Sequence, residues 1–177
     1  ICENSVFHIM GKDTTEFSPL PAIDRQNPVV LNQFQLREMI RQTIFSISIN
    51  DANRIMTGEF MQIRENEIRL VGLDGHRIAI RRLILDKVYE NREVILPGKT
   101  MNEIGKILTG ETEDEVKLYF TKNQVLFELD STLVVTRLIE GVYFRVDQML
   151  SNDYETKVTV RKSELTSAVV RWMLFTS

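Results

Sequence analysis

The sequence has a single cysteine, Cys2, so no disulfide within the chain is available to staple the fold. Its only histidines, His8 and His76, together with that cysteine fall short of the three or four suitably spaced ligands that a structural zinc site needs. No metal and no cofactor are expected. There is no charged-then-apolar leader and no unbroken apolar run of about 18 residues, which argues against signal and membrane segments and fits a reducing, cytoplasmic setting. An excess of basic charge is also lacking. The formal net charge of -3 argues against a generally basic nucleic-acid coat protein, while leaving room for a local basic surface.

What is present is the composition of an ordinary folded protein, with 43% hydrophobic and 27% charged residues and no single-residue bias toward disorder. One pattern organises the chain: a short β-branched strand followed by an amphipathic helix, met three times. The first copy is Val29-Val30-Leu31 and a helix over 32–48, capped by Asn32, with Leu36, Ile40, Ile44 and Ile47 on one stripe. The second is Val94-Ile95-Leu96, then Pro97 opening a helix striped by Met101, Ile104, Ile107 and Leu108 and stopped by Gly110. The third is Lys157 to Val160 and a helix from Ser163 carrying Leu165, Val169 and Trp172. The matching strand ends Leu31, Leu96 and Val160 are spaced nearly equally.

Between the helices the residues alternate as strands do. Met61 and Ile63 lead to a turn at Glu65-Asn66, Ile68 and Leu70 follow, and His76, Ile78 and Ile80 continue on a third strand. After the second helix, Val116 to Phe120, a turn at Lys122-Asn123, Val125 to Leu129 and Leu133 to Ile139 repeat the order. The expectation is an α+β domain of two βαβββ half-repeats. On this reading residues 28–152 form one complete domain, residues 1–27, with a strand-like stretch from Val6 to Met10, finish a preceding one, and residues 153–177 begin a following one. Both ends look cut, and a unit that continues past both suggests an array or a ring.

Four segments then carry a resemblance. Leu70-Val71-Gly72-Leu73-Asp74-Gly75-His76-Arg77-Ile78-Ala79 is similar to the middle-domain signature of the bacterial DNA sliding clamps, the beta subunits of DNA polymerase III. Met56-Thr57-Gly58, Ile95-Leu96-Pro97-Gly98-Lys99-Thr100 and Arg137-Leu138-Ile139-Glu140-Gly141 agree with that family in the same order. Each alone is a common turn or helix start, and the ordered set covers the middle domain. The resemblance implies a DNA-clamp fold with two helices on one side of antiparallel sheets. It implies a head-to-tail homodimer of three-domain chains closing into a ring around double-stranded DNA, with no chemistry of its own. Its partners would be the DNA polymerase III catalytic subunit, the clamp loader, and other polymerases and repair proteins with short clamp-binding peptides; no membrane is involved.

Two surfaces follow. Arg37 and Arg41 are four apart on the first helix and Lys99 and Lys106 seven apart on the second, each pair aligned and off the apolar stripe. Sparse, flexible cations of this kind suit phosphates that must slide past. Asn50 and Arg54 match pore-facing positions of the family, and the acids Glu111, Glu113, Asp114 and Glu115 are expected outside. The second surface is the middle-domain side of a partner-peptide pocket: Met56, Leu73, Gly75, His76, Arg77 and Ile78, joined by Phe144, Gln148 and Met149. Met and Leu offer adaptable apolar walls, Gly75 lets a backbone approach, and His76 and Arg77 supply donors. Leu73 replaces a frequent threonine, Gln148 a frequent arginine, and Phe144 and Ser151 stand where prolines are usual.

Two other classes compete. A metal-dependent nucleic-acid-processing enzyme would use Asp74, His76, Glu67 and Asp86, yet no two acids form a close ligand pair and His76 has no nucleophile beside it. A peptide-binding module that does not act on DNA would share the pocket and leave the basic helix faces without a purpose.

Overall fold

The computed structural model describes residues 8, 10–16, 21–49, 52–111, 113–150 and 153–175. Its contacts divide the chain into two compact units, Ile1–Tyr143 and Phe144–Ser177. In the first, β1 (Val29–Asn32) leads into α1 (Gln33–Thr43), and two long strands, β2 (Gly58–Leu73) and β3 (Ile78–Pro97), precede α2 (Gly98–Ile107). Three short strands close it: β4 (Glu115–Phe120), β5 (Gln124–Leu129) and β6 (Thr132–Arg137). The second unit holds α3 (Val146–Met149) and α4 (Lys162–Met173).

Local chemistry sets the helix ends. The Asn32 side chain accepts a hydrogen bond from the Gln35 amide at 3.1 Å, satisfying one of the donors that a helix start leaves open. Pro97 occupies the corresponding place before α2, where no amide donor is needed. α1 stops at Thr43 and passes into a 3-10 turn, Ile44–Ser46, with extended backbone at Ile47, so it is shorter than the periodicity predicts. Leu36, Met39 and Ile40 of α1 and Met101 and Ile104 of α2 are fully buried, whereas Ile107, expected on the same stripe, is half-exposed. Each such aliphatic burial contributes roughly 1.5–3 kcal/mol before the entropy of ordering. Gly105 lets the helices approach, since a Cβ there would lie 3.2 Å from Ile40 Cγ2.

The strand register shows how the halves interlock. β1 pairs antiparallel with β4, Val29, Val30, Leu31 and Asn32 facing Leu118, Lys117, Val116 and Glu115. The end of β3 pairs with the start of β2 in the same way, Val94, Ile95, Leu96 and Pro97 facing Met61, Phe60, Glu59 and Gly58. A shift of 65 positions carries Asn32 onto Pro97, and one of 57 carries Gly58 onto Glu115, so all four pairs superpose. Each half therefore lends its first strand to the other half's sheet. This reciprocal exchange is the pseudo-twofold relation that the repeat predicts, and it brings α1 and α2 together.

Three elements differ from expectation. The predicted turn at Glu65-Asn66 falls within β2, where the register breaks between Ile63 and Glu67 and Glu65 takes φ 53°. The two parts of β2 then pair with separate parts of β3, 58–63 with 92–97 and 67–73 with 78–84. His76 lies in the turn between β2 and β3, and the strand begins at Ile78. Lys157 to Val160 form no strand: no described residue pairs with them, and a strand lacks its ladder without a partner.

Candidate functional site

On α1, Arg37 and Arg41 are exposed, as are Lys99 and Lys106 on α2 and Arg54 in the 3-10 turn Arg54–Thr57. Asn50 lies outside the described residues. The cations are not equivalent. Arg41 donates from Nε and a terminal nitrogen to both carboxylate oxygens of Glu38, at 2.8 and 2.7 Å. That guanidinium holds the Glu38 carboxyl below the usual range. Lys106 donates to Glu103 at 2.8 Å. Glu38 and Arg41 superpose on Glu103 and Lys106 under the 65-residue shift, so the two helices carry the same ion pair at matched positions. Both acids were visible in the sequence at three-residue spacing from the cations. Spacing alone does not show that they neutralise those cations.

The acids expected outside divide likewise. Glu111, Glu113 and Glu115 are exposed, but Asp114 is half-buried and structural. Its carbonyl accepts from the Gln33 amide at 2.8 Å and its carboxylate from the Thr109 hydroxyl at 2.7 Å, fastening the α2–β4 connection to the start of α1.

The turn between β2 and β3 is built on Asp74. Its carboxylate accepts from the amides of His76 and Arg77 at 3.0 and 2.9 Å and from two nitrogens of the Arg77 guanidinium. The arginine contact leads the set that depresses the Asp74 carboxyl to about 2. Gly75 supplies φ 86°, which an L side chain would resist. The consequence corrects the simple picture of two free rim donors: Arg77 is committed to Asp74, while His76 is exposed. Met56 and Ile78 are half-buried and available as apolar surface, but Leu73 has no exposed surface and belongs to the core. Phe144, Gln148 and Met149 lie in the second unit, Gln148 and Met149 exposed on α3 and Phe144 half-buried before it. Ser151 lies outside the described residues.

For a metal-dependent enzyme the arrangement is poor. Asp74 is occupied by Arg77 and two amides, and among the described residues no three His, Cys, Asp or Glu side chains gather to hold an ion. Among those residues, too, no helix is long and apolar enough to cross a membrane.

Comparison with known proteins agrees with this geometry. Residues 30–144 match the family model of the DNA polymerase III beta subunit, central domain. The beta sliding clamp of Staphylococcus aureus is 33% identical over 168 residues, covering 95% of this chain and 44% of that protein. Among solved structures, a protein of Eubacterium rectale described as a DNA polymerase III beta subunit is 50% identical with a TM-score of 0.90, over 98% of this chain and 47% of that one. The Bacillus subtilis DNA polymerase sliding clamp is 30% identical with a TM-score of 0.85, over 90% and 42%. The chain thus spans less than half the length of these relatives. With its matched strand exchange, its adjoining helices and a family match over most of its length, the chain belongs to the DNA polymerase III beta subunit family, the bacterial sliding clamps.

Proposed function

We propose that the intact cytoplasmic protein is a non-catalytic processivity factor that closes as a head-to-tail homodimer around duplex DNA and tethers the replicative polymerase. Residues 28–152 would be its middle domain, with 1–27 and 153–177 belonging to its neighbours. The observation that carries this reading is the pair of adjoining helices, related by the strand exchange, whose exposed faces bear Arg37, Arg41, Lys99 and Lys106. A module that only bound peptides would have no use for cations repeated in this way. Arg54, and Asn50 in the same connection, would add to the DNA-facing set.

The test is retention on closed circular DNA by the full-length protein and its Arg37→Glu/Arg41→Glu variant across a salt series. Loss of phosphate contacts should flatten the salt slope by about one unit for each contact removed. An unchanged slope would assign these arginines to a solvated helix face. Retention on linear DNA equal to that on circles would remove encirclement.

Partner capture is proposed at the turn between β2 and β3. Met56 and Ile78 would take the apolar anchors of a short Gln-Leu-x-Leu-Phe-like peptide, Gly75 would admit its backbone, and His76 would donate at the rim. Arg77 would act chiefly by holding Asp74 and the turn's shape. Leu and Phe anchors would contribute roughly 1.5–3 kcal/mol each before ordering costs, which places binding on about the micromolar scale. Titration of that peptide against the full-length protein and a Met56→Asp variant checks it. Equal affinity for both would move the site elsewhere, whatever happens to DNA retention.

A further inference from the structure

Glu59 is a carboxyl with no exposure to solvent, one residue into β2 and facing Leu96 across the ladder. The side chain that meets it is Thr43, at the last turn of α1, with the hydroxyl 2.6 Å from Glu59 Oε1. The Thr43 hydroxyl also lies 2.8 Å from the Met39 carbonyl oxygen. It has one proton to give, and that proton has two claimants if Glu59 is a carboxylate. If Glu59 is the neutral acid, both contacts of the hydroxyl are satisfied: the acid O–H donates to Thr43 Oγ1, and Thr43 donates to the Met39 carbonyl. Glu59 Oε2 has no hydrogen-bond partner, an arrangement far less costly for the carbonyl oxygen of an acid than for a buried anion.

Among the described residues, the groups around it offer no counter-charge. From α1 the facing group is Thr43, from β3 it is Leu96, and the titratable group that feels its charge is the buried Tyr143, whose phenol is raised by burial first and by Glu59 second. Neither α2 nor the two 3-10 turns flanking residues 47–53 sets a cation against it. The site also lies among closely packed backbone segments. The Gly72 backbone packs so closely on the Thr43 carbonyl that a Cβ could not fit, and Ile47 covers Gly98. The Ser48 amide then bonds the Met56 carbonyl at 2.9 Å, so the end of α1 holds the connection that carries Arg54 and Met56.

We propose that Glu59 is a buried proton switch: held as the neutral acid in the folded protein, it locks the end of α1 to β2, and its ionisation releases Thr43 to Ile47. Burial pushes the Glu59 carboxyl from 4.5 up to about 8, only partly offset by Thr43. Because the folded form binds this proton more tightly than the unfolded chain, the stabilisation is complete below about pH 4.5 and is lost as pH rises toward about 8. Within that window the unfolding constant should rise by up to about tenfold per pH unit from this group alone.

Two readouts on the full-length protein test it. With glutamate labelled at the side-chain carboxyl carbon, one resonance should titrate near pH 8 and disappear in Glu59→Gln; no glutamate titrating above pH 6 would overturn the proposal without any variant having to fold. Amide exchange at Thr43 to Ile47, referred to the intrinsic rate at each pH, should lose about tenfold or more protection between pH 7 and pH 9 in the wild type and keep it in Glu59→Gln. Equal loss in both proteins would overturn the release, even with the titration found.

Discussion

In the second half of the first unit, Leu108 at the end of α2 and Val116 in β4 are buried and apolar, part of the continuous core. The same shifts of 65 and 57 positions that superpose the strand pairs carry Thr43 onto Leu108 and Glu59 onto Val116. Matched positions are thus apolar in one half and carry a hydroxyl and a carboxyl in the other. The comparison teaches that the fold itself does not require polarity here. Apolar residues do the packing where only packing is needed. The polar pair lies instead in the half where, just past the helix end, the Ser48 amide bonds the Met56 carbonyl of the connection bearing Arg54 and Met56.

The comparison breaks most severely if the polar residue is moved to the wrong half. Val116→Glu would place a carboxyl opposite Leu31 in a position with no exposure and with Leu108, not threonine, at the matching helix end. The expected cost is about 3–5 kcal/mol at pH 7, read as a lower denaturant midpoint at unchanged slope. A cost under 1 kcal/mol would show that the two sites are not equivalent in burial.

The reverse exchange makes the first half resemble the second. Thr43→Leu/Glu59→Val removes the buried acid together with its partner, so no orphaned group remains. At pH 5 it should change stability little; at pH 8 it should stabilise by roughly 2–4 kcal/mol, because the wild type has by then lost its proton-linked contribution. Unfolding of both proteins at the two pH values checks the sign. A variant with the wild-type pH dependence would locate the titrating group elsewhere.

Much of this architecture was legible because it is local. Asn32 as a cap, the Leu36/Ile40 and Met101/Ile104 stripes, and the strands after α2 all follow from chemistry within a few residues. The lending of β1 to β4 joins residues more than eighty positions apart, and only the equal spacing of the repeats hinted at it. Glu59 did leave a signal. It shares the period-two phase of Met61 and Ile63, both buried, but a charged residue type ordinarily signals exposure and masks the phase. Helical spacing and resemblance point to the candidate surfaces, and contacts that no pattern shows alter the reading of single residues. Arg77 reads as a free donor until Asp74 is seen to hold it, and Leu73 reads as a wall until its side chain is found in the core.

The smallest expected effect concerns a polar feature that the halves share. Glu38–Arg41 and Glu103–Lys106 are matched, exposed ion pairs, and exposed pairs contribute little to stability. Glu38→Gln and Glu103→Gln should therefore leave the unfolding midpoint unchanged. Their effect should appear on DNA, because each substitution frees a cation that now spends its donors on a neighbouring carboxylate. A freed cation that reaches phosphate steepens the salt dependence of retention by at most about one unit. If the two helices meet DNA equivalently, the single variants should steepen it alike and the double variant should add their effects. If Glu38→Gln acts and Glu103→Gln does not, the symmetry of the fold does not extend to its use. No change in either, alongside a flattened slope in Arg37→Glu/Arg41→Glu, would leave Arg37 as the phosphate contact and confine Arg41 to its helix.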